Sequence, residues 1–334
     1  MRPATPLFRD IGRLLGALLL LLLLSPPAEG GESTTPFPTV MQGALQLPFG
    51  LPPPDGGRIL PPGVTRAGIS TDIASTYLFH DTPREFLLLD GESRMVTLRL
   101  RRGTAWGEMG VDIPWIGVGG GSFDSFIIGW HDFFGLPQGG RDAAPRNRFR
   151  YIYLKNGSKQ VYLTEPSSGI GDIRLTAGYR LRGDENSPLS LRGVISLPTG
   201  DPDRLRGSGT PSLSLALAGE EGEGALGIWG VVGGSISGSG EILPGMGEQV
   251  VGFARLGCGW SPRPPLTFKL ELLGTTPLYR GSTMTAISGY PLILVMGGSI
   301  SLSESTVIDI GVTEDINLES GPDVALHAGV RYIF

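Results

Sequence analysis

The last eleven residues, VALHAGVRYIF (Val324–Phe334), decide the fold. Val324, Leu326, Ala328, Val330, Tyr332 and Phe334 share one parity, and Asp323, Ala325, His327, Gly329 and Arg331 alternate with them. A period of two marks a strand with one dry face and one polar face. An apolar face that ends in aromatics at the C-terminus is what the closing strand of an outer-membrane barrel carries. Val330, Tyr332 and Phe334 are then the expected signal to the barrel-assembly machinery.

The same alternation recurs along the chain. Val96, Leu98 and Leu100 oppose Thr97, Arg99 and Arg101; Met109, Val111, Ile113 and Trp115 oppose Glu108, Gly110 and Asp112. Ile173 to Leu181 oppose Asp172, Arg174, Arg180 and Arg182, and the runs at 189–197, 213–217 and 266–272 repeat the pattern. Weaker strands are expected near 67–79, 225–236, 248–260, 286–301 and 304–313. The expectation is an all-β, transmembrane antiparallel barrel of about 12 strands. A secreted β-sandwich also alternates, but Arg99, Arg101, Arg174, Arg192 and Glu271 on the non-apolar faces suit a wet lumen better than a sandwich core. Connections also alternate short and long, as a barrel with both termini in the periplasm requires.

Residues 1–30 read as an export signal: Arg2, Arg9 and Arg13, then the apolar run Leu14–Leu24, then Ala28-Glu29-Gly30. That run is half the length of about 20 residues that a helix needs to cross hydrocarbon. The only cysteine, Cys258, excludes a disulfide scaffold. A net charge of −5 without a basic cluster argues against nucleic acid as a partner. Three domains of sequence follow: the leader at 1–30, a proline-rich segment at 31–65 that can plug a lumen or link, and the barrel at 66–334.

The longest connection, 117–167, holds two local features. FRYIYLKNGSKQVYL (149–163) is a hairpin turning at Asn156-Gly157, expected above the membrane; fourteen strands result if it spans. SFDSFIIGWHDFFGLPQGGR (122–141) has apolar residues at helical spacing, with Ser122 to cap the start and Gly135 and Pro137 to end it. This short helix in a long extracellular loop is a lid, a plug, an interfacial helix or a packing element. Its polar candidates are His131, Asp132 and Arg141, beside Trp130.

LLLDGESRMVTLRLRRG, GGSFDSFIIGWHDFFGLPQGGR, GIGDIRL and SLPTGD occur in this order. Together they resemble a proteobacterial outer-membrane family known only as a domain of unknown function. The resemblance implies a Gram-negative envelope protein and carries over no activity, substrate or catalytic residue.

The chemistry the residues themselves suggest is electrostatic. With three lysines in the chain, positive charge is mostly arginine, whose planar fork suits carboxylates and phosphates. The lumen candidates are Arg99, Arg101, Arg174, Arg180 and Arg192, facing Glu108, Asp112, Asp172 and Glu271 across a water-filled channel; a filled barrel with paired charges is the alternative. No metal-ligand spacing and no nucleophile elbow occurs, so neither a cofactor nor an enzyme is expected. The functional expectation is an outer-membrane channel or passive transporter for a small solute, gated by the N-terminal segment and the 117–147 loop. Its other partners are membrane lipid and the assembly machinery. A surface-binding barrel and a lipid-modifying enzyme are the alternatives.

Overall fold

The computed structural model describes residues 34–334 apart from 122, 136–143, 185–186, 239 and 318–320. The expected export signal at 1–30, the capping Ser122 and the loop candidate Arg141 lie outside the described residues.

Fifteen strands form one antiparallel sheet that closes on itself. The wall consists of β1 (Thr65–Asp81), β2 (Glu85–Gly103), β3 (Glu108–Gly119), β7 (Ile173–Arg182), β8 (Leu189–Leu197) and β9 (Ser212–Glu223). It continues through β10 (Leu226–Ser237), β11 (Val250–Arg263), β12 (Leu266–Thr275), β13 (Leu292–Ser301), β14 (Thr306–Asp315) and β15 (Val324–Ile333). β15 pairs with β1 from Ile333↔Arg66 to Val324↔Ser75, so the sheet has no free edge in the wall. The terminal Phe334 takes part: its N–H donates to Thr65 O at 2.9 Å, and Thr65 N–H donates to Phe334 O at 2.8 Å. The fold is thus the expected outer-membrane type of barrel, with twelve strands in the wall.

The remaining three strands do not enlarge the ring. β4 (Arg150–Lys155) and β5 (Ser158–Leu163) form the hairpin, with Asn156 and Gly157 both at positive φ in its turn. β4 pairs with the first residues of β2, Glu85–Asp90, beyond the stretch of β2 that pairs with β3. Residues 80–92, which lie between two of the expected strands, are therefore mostly strand: β1 and β2 continue upward past the ring to a turn at 82–84. β6 (Ser167–Ile170) continues β7 along β3, interrupted by a one-residue shift at Gly171-Asp172. The strand expected from 286 starts only at Leu292, because Thr285–Ser288 is a helical turn.

Parity sorts the side chains as expected. Leu98, Leu100, Leu191, Leu215, Leu217, Leu256, Leu270 and Leu272 are exposed on the outer face, which is apolar as in barrels of this type. Tyr179, Trp260, Phe268, Tyr332 and Phe334 form an outer aromatic girdle near the turns at the end where both termini of the barrel lie. Val330 shares that face. Cys258 also faces outward, exposed.

Helix α1 (Asp124–Phe134) lies outside the ring. Phe123, Phe126 and Ile127 line a crevice with Ile73 of β1 and Val324 and Leu326 of β15, so the helix covers the seam between the first and last strands. Neither a lumen plug nor a gate across the mouth is formed by it.

The lumen is filled from within the chain. The segment 34–64 precedes β1 and forms no strand, as its prolines dictate, yet Phe37, Val40, Met41, Leu45 and Leu47 are all buried. At the end of the barrel opposite the termini its 40–47 stretch packs with Ile242, Leu243, Met246, Leu278, Met284 and Ile287 of two inward-folded loops. Leu87, Leu89, Tyr151 and Tyr153 of the upper hairpins complete this apolar layer. Below it the inner wall is polar.

Candidate functional site

The polar wall meets the 34–64 segment through its backbone. A chain without secondary structure buries N–H and C=O groups that need partners, and here the wall supplies them. Glu271 accepts from Phe37 N at 2.6 Å, while Arg255 donates to Phe37 O at 3.1 Å and to Thr39 O at 2.9 Å. Arg99 donates to Pro38 O and Ser93 Oγ to Gln42 O. Further along, Glu220 accepts from Arg58 N at 3.0 Å and Glu108 from Leu60 N at 3.1 Å. Arg192 donates to Gly56 O and Arg58 O, and Ser190 to Gly57 O. At the top, Tyr279 Oη donates to Leu45 O at 2.8 Å. Several of the same wall charges also pair with each other.

The ion pairs follow from the register. Arg101 Nη1 meets Asp112 Oδ1 at 2.6 Å on the neighbouring strand, and Arg255 meets Glu271 at 2.5 Å in the same way. Arg192 and Glu108 meet at 2.7 Å although β7 runs between them. Asp309 takes Arg331 at 2.9 Å and Lys269 at 3.7 Å. His327 Nδ1 lies 2.8 Å from Asp72 Oδ1, its register partner, and Thr39 Oγ1 donates to the same oxygen at 2.8 Å. The arrangement expected from the sequence, arginines facing carboxylates across water, is therefore not the one formed. Charges pair side by side along the wall, and the space between opposite walls holds the N-terminal segment.

The sequence candidates distribute as follows. Arg99, Arg101, Glu108, Asp112, Arg192 and Glu271 all face inward in this network. Arg174 faces inward as well, buried opposite Asp112, but its Nε and Nη1 have no hydrogen-bond partner. Asp172 turns at the strand interruption and binds the loop after β8, accepting from Gly200 N at 2.9 Å and from Ser208 N and Oγ at 2.8 Å each. Arg180 has lumen parity but stands exposed where the β7–β8 register shifts at the end of the hairpin. Trp130, His131 and Asp132 sit on α1, outside the ring, with Asp132 exposed.

Sequence reasoning missed Asp55, Arg66, Asp72, Glu220, Arg255 and Asp309. Arg255 and Asp309 lie on strands whose apolar face is diluted by glycine, GFARLGCG and VIDIGV, so parity there is hard to read. Asp55 lies in the aperiodic segment. Burial works against its carboxylate, yet Arg101, Arg192 and Arg66 together outweigh burial and hold it well below the ordinary carboxylate range.

The chain belongs to the family described as protein of unknown function, DUF3187, whose signature matches residues 19–334. No curated protein sequence matches it. Among solved structures, the COG4313 outer membrane channel from Pseudomonas putida F1 is similar in fold, with a TM-score of 0.53 at 16% identity over 82% of this chain and 97% of that one. The KdgM porin aligns over 80% of this chain and 99% of its own at 8% identity and a TM-score of 0.41. The CymD monoaromatic hydrocarbon channel aligns over 82% and 88% at 13% identity and a TM-score of 0.37.

Proposed function

We propose that the protein is a gated outer-membrane channel for a small solute, with residues 34–64 as its gate. The observation that carries this is how the segment is held. Up to residue 62 its bonds to the wall involve wall side chains, which hold its backbone and the side chains of Thr39 and Asp55; backbone bonds to the wall come at Gly63 and Val64, which meet Gly103 at the entry to β1. A segment tied in this way can leave without opening the β-ladder, because local opening costs only the contacts it breaks. The DUF3187 membership and the likeness in fold to a solved outer-membrane channel support the same reading.

In this reading the leader is removed after export, and the assembly machinery takes up the chain through Val330, Tyr332 and Phe334. The helix with Trp130, His131 and Asp132 serves as an outer brace on the closing seam and has no part in gating. No catalytic role is assigned to any residue.

The test is single-channel conductance of the refolded mature chain beside one lacking residues 34–60. The truncated barrel conducts with larger and steadier steps than the intact one. Silence from a truncated barrel that still shows the heat-dependent gel shift of a folded one overturns the proposal and favours a structural or surface-binding barrel.

A further inference from the structure

Between the N-terminal segment and the β1, β2 and β15 wall lies a cavity of about 90 Å³. Pro36 and Pro38 close it from the segment side, and the wall side carries Arg66, Ser70, Arg99 and Arg101. The space exists because the wall is bare here. Gly68 stands in one cross-strand row between Arg99 on β2 and Arg331 on β15, and Gly329 stands beside Ser70. Two long arginines thus flank a position with no side chain.

The charge around this cavity does not balance locally. Asp55 is shared by Arg101 at 3.0 Å and Arg66 at 3.8 Å. Asp112 is shared by Arg101 at 2.6 Å and Arg99 at 4.0 Å, and its register partner is the buried Arg174. Of the other charges lining the cavity, Glu220 pairs with Arg58 at 3.3 Å and Arg331 with Asp309 at 2.9 Å, which leaves Arg66, Arg99 and Arg101 to share Asp55 and Asp112. Donors are also left over in the lining: Nε of Arg99 and the hydroxyl of Ser70 make no hydrogen bond, although both are buried. Ser70 is 4% exposed and opens onto the cavity. Water filling such a space meets the donors but leaves the charge, whereas an anion meets both.

From this we infer that the cavity binds one small oxyanion, a carboxylate or phosphate group, on Arg66, Arg99 and Arg101 with the Ser70 hydroxyl. The planar guanidinium fork matches two oxygens of such a group. At about 90 Å³ the cavity is several times the space that one water needs, which is room for a small anionic group. The bound anion bridges the wall to the segment, since Arg99 also holds Pro38 O and Arg101 also holds Asp55. This deepens the channel reading by naming the class of solute, an oxyanion, and the site stands whether or not the barrel conducts.

The experiment is calorimetric titration of the folded, detergent-solubilised mature protein with sodium acetate and, separately, sodium phosphate, at ionic strength held with sodium chloride. One saturable site per barrel is expected, weakened about tenfold or more in Arg66→Gln and in Arg99→Gln. Both variants are checked for the heat-dependent gel shift, and Arg66→Gln leaves the Pro38 contact in place. Tighter acetate identifies a carboxylate solute and tighter phosphate a phosphate one. Heat that does not saturate with either salt, or saturation equal in wild type and both folded variants, overturns the inference. Saturable binding in a barrel that never conducts would retain this site and remove the channel reading instead.

Discussion

Glu108 on β3 and Arg192 on β8 bond at 2.7 Å across the strand that separates them, because Gly178 of that strand carries no side chain. All three residues stand in one row. A Cβ on Gly178 would lie 2.5 Å from Arg192 Nη1 and 2.8 Å from Ile59 Cδ1 of the N-terminal segment. The pair then holds the segment from both sides, Glu108 at Leu60 N and Arg192 at Gly56 O.

Gly178→Val is therefore expected to displace Arg192 and Ile59 together, at a cost of about 1–3 kcal/mol. The segment loosens while the outer face of β7 is untouched. Limited proteolysis of the folded variant measures this: cleavage within 50–62 becomes faster than in wild type, with the barrel core intact. Unchanged cleavage contradicts the role given to the row.

Asp55 sets the acid limit of the closed state. Its folded value is depressed below the ordinary 3.8 by the arginines around it. A carboxyl of that kind contributes stability above its ordinary value and loses it as pH falls through the folded one. Docking of the segment should stay constant from neutral pH down to about pH 4 and weaken only in stronger acid. Asp55→Asn removes the contribution at every pH. Proteolytic access or open probability against pH checks both statements, and a transition in wild type centred between about pH 5 and pH 7 that vanishes in Asp55→Asn would contradict them.

In the apolar layer at the end of the barrel opposite the termini, Tyr279 Oη donates to Leu45 O. Tyr279→Phe keeps the packing against Phe49, whose ring centroid lies 5.7 Å away, and leaves a buried carbonyl unbonded. The expected loss is about 0.5–1.5 kcal/mol, read from the denaturation midpoint. Burial raises the phenol above its ordinary 10.0. A raised folded value keeps the contribution fully present below pH 10, so the wild-type advantage over Tyr279→Phe should not change between pH 6 and pH 9.

The wall was legible in the sequence for a physical reason: an apolar outer face and a polar inner one force strict alternation, and Leu98, Leu215 and Leu270 declare it. The inward arginines were legible by the same parity. Their partners were not, because a pair such as Glu108 and Arg192 depends on register and on a glycine between them. Arg180 shows the limit of parity, since the register shift at the hairpin end leaves it exposed. The path of residues 34–64 was least legible, since a proline-rich stretch has no period and the groups that bind its backbone lie elsewhere in the chain.

In the proposed channel, residues 34–64 must move for solute to pass. Thr39 Oγ1 and Asp72 Oδ1 are 2.8 Å apart, so Thr39→Cys with Asp72→Cys, in a chain also carrying Cys258→Ala, can tether the segment to the wall. Single-channel recording of this barrel before and after reduction is the most direct measurement. The oxidised barrel is expected to be silent, with conductance that appears on reduction and disappears on reoxidation. Equal conductance in the two redox states, with the crosslink confirmed by mass, would contradict it.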